Sequence, residues 1–312
     1  MTPSLSYQDI SLVPAYSTAH SRSNIDVFVD FLGRQYWSPI IPANMSAVID
    51  LDIARYLSEH HYLYFMHRFG DTEAFVRQAN EENWREINIS VGVKEEDRQL
   101  LRNLCGAKLR VDTICVDIAH GHSILMKDML GFVRTVMSAT KVVAGNVATY
   151  EGVQALWNWG AQAVKVGIGG GRACSTRLKT GFHVPMFSCV QECYGPQEDR
   201  SNIPIIADGG IRTNGDIAKA LCAGATMVMA GSLFAACLDA PGGGAYWGSA
   251  SEHQKGERRN VEGVKMQIPC NGMIFAEKMV EIREDLQSAC SYAGGALEGL
   301  KKCSWVTDAK SP

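Results

Sequence analysis

The sequence predicts an α/β protein built as a (β/α)₈ TIM barrel: a single domain over residues 1–312, with an N-terminal extension and a flap after strand eight. Two observations carry that expectation. Eight short apolar runs recur along the chain, each followed by a longer amphipathic stretch. The runs are rich in Val and Ile and show little alternation, as strands buried on both faces do. In addition, 312 residues match one barrel of roughly 250 residues plus extensions. A doubly wound open sheet is the alternative for the same alternation.

Residues 1–35 precede the first run and are expected to cover the barrel bottom. The runs themselves span 38–43, 62–66, 86–91, 113–117, 141–145, 163–166, 203–208 and 227–231. No regulatory domain is inserted between the second and third. Two helix stops support the frame: Gly160 follows the helical stretch 150–159, and Gly224 follows 215–222. Both sit where a helix C′ residue takes positive φ. Two long connections break the plain repeat. Residues 167–202, after strand six, are glycine-rich. Residues 239–275, after strand eight, mix glycines and charges and are expected to form a mobile flap. Long connections in a compact domain usually serve function, and in a barrel both would lie at the catalytic face.

Composition narrows the function. The formal net charge of −3 argues against nucleic-acid binding, which needs a basic face. An anionic small ligand remains open, because backbone N–H groups can hold a phosphate. Ten cysteines without a C-x-x-C pair, and no basic and apolar leader after Met1, are expected of reduced thiols in the cytoplasm. Most would be small core residues. The apolar stretch 217–238 is interrupted by Lys219, Gly224 and Gly231. It reads as helix, turn, strand and turn rather than a membrane span.

Four features carry chemistry. Asp208-Gly209-Gly210 ends strand seven and Gly231-Ser232 ends strand eight, the places where barrels commonly bind phosphate. Asp208 can accept from ribose hydroxyls; two ordinary tight turns are the alternative. The loop from Gly167 to Arg177 holds Cys174 among glycines, with Arg172 and Arg177 close enough in sequence to favour a thiolate. Thiolates attack electron-poor carbons and form covalent intermediates. Carbonyls of the same turn can present oxygens to a monovalent cation. His120 and His122 with Asp117 permit a metal reading, but histidines two apart rarely share a helical face, so ligand contact is favoured. Finally, Trp247 to Glu252 and Arg259 to Gly263 place small hydroxyls and carboxylates on the expected flap, either to close over a planar ring or as a solvated loop.

Several motifs in order resemble the IMP dehydrogenase/GMP reductase family. They include Pro42-Ala43-Asn44-Met45, Met66-His67-Arg68, Ile118-Ala119-His120-Gly121-His122, Ala144-Gly145-Asn146-Val147, the Cys174 loop, Ala207 to Arg212 and Gly248 to Glu252. The similarity covers nearly the whole chain, from Tyr7 to Gly295. Asn260-Val261-Glu262-Gly263 is similar to the reductase branch, and the Arg-Tyr pair of the dehydrogenase branch is missing. The resemblance implies NADPH-dependent reduction of GMP to IMP with ammonia release, through a Cys174–purine intermediate. It implies Thr176 and Glu262 as the proton-handling dyad. Asp208, Gly209, Gly210, Gly231, Ser232, Ser249, Ala250, Ser251, Arg259 and Gly263 would contact the nucleotide. Arg68, Asp117, Ile118, Ala119, Ile168 and Gly169 would contact NADPH, with Arg68 able to pair with a 2′-phosphate. Ser21, Arg22, Ser288, Ala289, Cys290 and Ser291 would reach the cofactor of a neighbouring subunit in a homotetramer. Backbone carbonyls of Gly169, Gly171 and Cys174 would hold a potassium ion. IMP oxidation, a modified purine nucleotide, a flavin-dependent barrel and a nucleotide sensor are the competing readings.

Overall fold

Seven parallel strands in one hydrogen-bonded sheet organise the described residues, with a register shift between Gly145 and Val147 where β7 meets β8. The computed structural model describes residues 4–195 and 203–308. Its strands in chain order are β1 Ile10–Leu12, β2 Val29–Phe31, β3 Arg34–Tyr36, β4 Ile40–Pro42, β5 Asn88–Val91, β6 Thr113–Asp117, β7 Lys141–Val147, β8 Ala163–Val166, β9 Ile205–Asp208, β10 Met227–Ala230, β11 Ala245–Trp247, β12 Lys265–Gln267 and β13 Trp305–Thr307. The main sheet runs β4-β10-β9-β8-β7-β6-β5, parallel throughout. Its first and last strands in chain order, β4 and β10, are paired neighbours, so the sheet curls. Strands β5, β8 and β10 are buried along their full lengths, as strands covered on both faces are, and they take Asn88, Ser90 and Lys165 inside with them.

The expected second strand is corrected by the structure. Residues 62–66 form no strand; they meet β5 through one bridge, Met66 to Ile89. The Met66 N–H donates to the Asn88 carbonyl, and the Ser90 N–H donates to the Met66 carbonyl. A ladder needs consecutive pairs, and one pair is all this segment makes. Its burial nevertheless agrees with its apolar sequence. Leu63 and Phe65 pack inside the sheet with Ile41, Val143, Ile206 and Met229. The β2–β3 hairpin adds Val29, Phe31 and Tyr36 to the same cluster. Arg34 anchors that hairpin to Asp112 and to the Arg85 carbonyl, beside the N-terminal ends of β6 and β5.

The helices are α1 Leu51–Glu59, α2 Thr72–Glu81, α3 Glu95–Gly106, α4 Ile124–Val136, α5 Tyr150–Asn158, α6 Thr176–Thr180, α7 Met186–Tyr194, α8 Asn214–Cys222, α9 Ser232–Ala235, α10 Glu252–Lys255, α11 Phe275–Ser291 and α12 Leu297–Lys301. Side chains of Asp50, Asp71, Ser123 and Thr149 accept backbone N–H groups at the starts of α1, α2, α4 and α5, satisfying donors that a helix start leaves open. Gly224 takes φ +116°, and a Cβ there would lie 2.5 Å from Tyr194 Cγ, so the turn into β10 requires glycine. Residues 239–275 are more ordered than a bare loop: β11 and β12 pair antiparallel within them. The end of the connection 167–202 lies outside the described residues. Among those described, no helix is long and apolar enough to cross a membrane. Five cysteines (Cys115, Cys189, Cys193, Cys237 and Cys290) are buried.

If residues 62–66 are core despite lacking a ladder, Phe65→Ala should cost about 3–5 kcal/mol. Urea denaturation measures this; a loss below about 1 kcal/mol would show the segment to be peripheral.

Candidate active site

The C-terminal ends of the main strands surround a cleft of about 650 Å³, a size suited to small-molecule binding. One wall joins Asp208, Gly209 and Gly210 to Gly231 and Ser232, so the two predicted glycine turns do converge. Gly209 and Gly210 have φ of +106° and +77°, and a Cβ on Gly209 would lie 3.0 Å from the Gly171 backbone nitrogen. A side chain at Gly231 would run into the Tyr246 hydroxyl. The cradle is therefore bare backbone because its surroundings leave no room for anything else.

Facing it is the Cys174 loop. Cys174 is half-buried on the cleft wall with Thr176 and Glu262. The thiol donates to Thr176 Oγ1 at 3.2 Å, and that hydroxyl donates to Glu262 Oε2 at 2.7 Å. Backbone pairing holds the distant carboxylate there. Cys174 bridges Gly263, Ser175 N–H donates to the Glu262 carbonyl at 2.8 Å, and Val264 N–H donates to the Ala173 carbonyl at 2.9 Å. The result is a path for a proton from sulfur through a hydroxyl to a carboxylate.

The cleft floor holds a group that sequence reasoning misses. Lys165, only 2% exposed, sits 2.8 Å from both Asp117 Oδ1 and Asp208 Oδ2. Burial alone would lower the ammonium's pKa, but the two carboxylates outweigh it and raise it. Burial likewise opposes ionisation of Asp117, yet Lys165, then Arg68 and Asn44, hold its carboxyl below the ordinary value. The available signal is a lysine inside an otherwise apolar run. Asn44 and Asn146 brace the same carboxylates. Tyr246 and Lys94 are further unpredicted wall residues.

Other expected contacts divide cleanly. Arg68, Asp117, Ile118, Ala119, Ile168, Gly169, Gly171, Ser249 and Ala250 line the cleft. Arg259, Ser251 and Gly263 do not line it. The Arg259 carbonyl accepts from Lys255 Nζ. The Ser251 hydroxyl caps α10 by accepting from Gln254 N–H, and Gly263 serves the bridges to Cys174 and Ser251. Ser21, Arg22, Ser288, Ala289, Cys290 and Ser291 are absent from the cleft. Near them, Arg22 donates to the Tyr292 hydroxyl and Gln287 to the Ile25 carbonyl. Cys290 corrects the expectation further: its side chain is wholly buried, so its thiol faces the core. The metal reading of His120, His122 and Asp117 also finds no support in the geometry: Asp117 is engaged by Lys165, and no group of three metal-ligating side chains occurs among the described residues.

A curled parallel sheet whose C-terminal end carries a glycine cradle and a thiol wired to a carboxylate is the arrangement of an α/β enzyme. The chain belongs to the IMP dehydrogenase/GMP reductase family, whose domain model matches residues 4–307. It is similar to proteins named GMP reductase in Shouchella clausii (44% identical, covering 96% of this chain and 94% of that one). Comparable relatives with the same name occur in Helicobacter pylori (44%, 96% and 95%) and Latilactobacillus sakei (43%, 96% and 95%).

The buried cluster sets a pH dependence. Because the Asp117 pKa is depressed on folding, its contribution is present above the unfolded value, about 3.9, and is lost as pH falls through the lower folded value. Asp117→Asn should therefore be less stable than the parent at pH 7, by roughly 1.5–3 kcal/mol. Denaturation curves should show the gap narrowing below about pH 4; a gap independent of pH would contradict the assignment.

Proposed function

We propose that this chain reduces GMP to IMP with NADPH and releases ammonia, through a covalent bond between Cys174 and purine C2. The carrying observation is the Cys174–Thr176–Glu262 chain at the cleft. Relatives that match it over nearly their whole length bear the corresponding name. Sulfur adds to C2, and the C2–N bond breaks as the exocyclic amine leaves with a proton. The hydrogen-bonded path puts Thr176 and Glu262 in position to take the thiol proton and to return it to the departing amine. NADPH, when bound, supplies the hydride that replaces sulfur at C2 and returns the thiolate. The balance is GMP, NADPH and two protons giving IMP, NADP⁺ and ammonium.

The protein's task is then alignment and electrostatics. Asp208 and the turns at Gly209, Gly210, Gly231 and Ser232 grip ribose and phosphate, while Ser249 and Ala250 approach the base. Arg259, Ser251 and Gly263 support that wall from behind. The cofactor side fits an anion. Arg68 lines the cleft beside Lys94, rests 4.9 Å from the Phe69 ring centre, and buries an Nε with no partner. A 2′-phosphate would satisfy it. Asp117, Ile118, Ala119, Ile168 and Gly169 complete that side.

Larger features belong to the same reading. Segment 62–66 acts as the eighth stave of one barrel domain spanning the chain, the N-terminal extension closes its bottom, and 239–275 works as the flap. Ser21, Arg22, Ser288, Ala289 and Ser291 lie outside the cleft of their own chain and would serve a neighbour's cofactor in a cytoplasmic homotetramer. Carbonyls of Gly169, Gly171 and Cys174, in one turn, would hold potassium.

NADPH absorbance with GMP tests the proposal. GMP-dependent oxidation should vanish in Cys174→Ala; turnover unchanged in that variant would end the covalent mechanism. Thr176→Val and Glu262→Gln should each lower kcat by roughly 10²–10⁴-fold while leaving GMP affinity nearly intact. Equal losses in affinity would instead make the dyad a binding element.

A further inference from the structure

Strand β8 reads Ala163-Val164-Lys165-Val166 and is buried throughout. A lone ammonium there would be very costly, and it persists only with partners. Those partners come from β6 and β9, on either side of it. Between β6 and β8 lies β7, where Gly145 is in register with both Asp117 and Lys165. A Cβ on Gly145 would lie 2.5 Å from Lys165 Cβ. The missing side chain is thus the gap through which Lys165 leans across one strand to reach Asp117.

The two carboxylates are held symmetrically. Asn44 Nδ2 donates to Asp117 Oδ2 at 3.1 Å and to Ser90 Oγ at 2.9 Å. Asn146 Nδ2 donates to Asp208 Oδ2 at 2.9 Å and to the Gly167 carbonyl at 2.8 Å. The bonds from Lys165 and Asn146 to Asp208 both fall on Oδ2, which leaves Oδ1 for a ligand. No step of the reaction above uses Lys165.

We propose that Lys165 is a positioning residue shared by the two ligand subsites: it holds Asp208 on the nucleotide side and Asp117 on the cofactor side at one fixed separation, so each subsite senses the other. This rests on the assignment of the cleft given under Proposed function. A carboxylate braced on both sides presents its free oxygen in one place, and a disturbance at either end moves the shared ammonium. The other titratable groups facing the cluster are Cys115 beside Lys165, Arg68 beside Asp117, and Tyr7 and Tyr246 towards Asp208. Of these, only Arg68 supplies a second positive charge, and it acts on Asp117.

The test is calorimetric titration of IMP into the full-length protein without cofactor, from pH 6 to 9. Wild type sets the reference affinity at each pH, because the phosphate of IMP itself titrates at about pH 6. Lys165→Met should bind about 10-fold more weakly at pH 7 and regain affinity relative to wild type as pH rises, because its uncompensated carboxyls then ionise. A packing defect alone would lower affinity equally at every pH. Asp117→Asn keeps the lysine and gives the second reading, needed if Lys165→Met does not fold. It should weaken IMP about 3- to 10-fold, although Asp117 lies on the cofactor side. IMP affinity equal to wild type in Asp117→Asn, or a pH-independent loss in folded Lys165→Met, would overturn the inference while GMP-dependent NADPH oxidation by wild type left the functional reading standing. Wild type that neither binds IMP nor oxidises NADPH would overturn both.

Discussion

An ammonium sealed beneath the cleft, between two carboxylates, is the constraint around which the catalytic end is built. A buried cation tolerates almost no freedom, because its desolvation is offset only by close, well-oriented opposite charge. From the 2.8 Å contacts of Lys165 follow the glycine at 145, the asparagines at 44 and 146, and the fixed bearing of Asp117 and Asp208. The ends of β6, β7, β8 and β9 are thereby tied into one polar layer above an apolar interior.

Reactivity sits on a softer part of the molecule. Cys174 and Glu262 are far apart in the chain. Short backbone pairing between the Cys174 loop and residues 262–264 brings them together. Moving 239–275 would break or restore the thiol–hydroxyl–carboxylate path. In the proposed function the floor and the wall formed by the Cys174 loop and 239–275 would divide the labour: one would present ribose and cofactor acceptors, the other nucleophile and proton acceptor.

Much of this architecture is legible in the amino-acid sequence. Runs 113–117 and 163–166 coincide with β6 and β8, because strands covered on both faces are mostly apolar and show little alternation. The run 62–66 looks the same, since hydrophobicity reports burial and says nothing of which neighbour supplies hydrogen bonds. Cys174 stands out as a thiol in a polar glycine loop. Thr176 and Glu262 emerge from family resemblance, and no local pattern joins them. Lys165 is hidden in its apolar strand, although a charge in such a run is itself the mark of a buried partner. Ser251 and Gly263 are expected at the base, yet their backbone and capping roles depend on pairing between the residues around position 174 and those around 263, which no sequence pattern reports.

The most direct measurement is intact-protein mass spectrometry after incubation with GMP in the absence of reductant, followed by acid quench and peptide mapping. The account predicts a mass gain of GMP less ammonia, confined to the peptide bearing Cys174. An unmodified Cys174 peptide under conditions where the same preparation turns over GMP with NADPH, or an adduct on another cysteine, would contradict it.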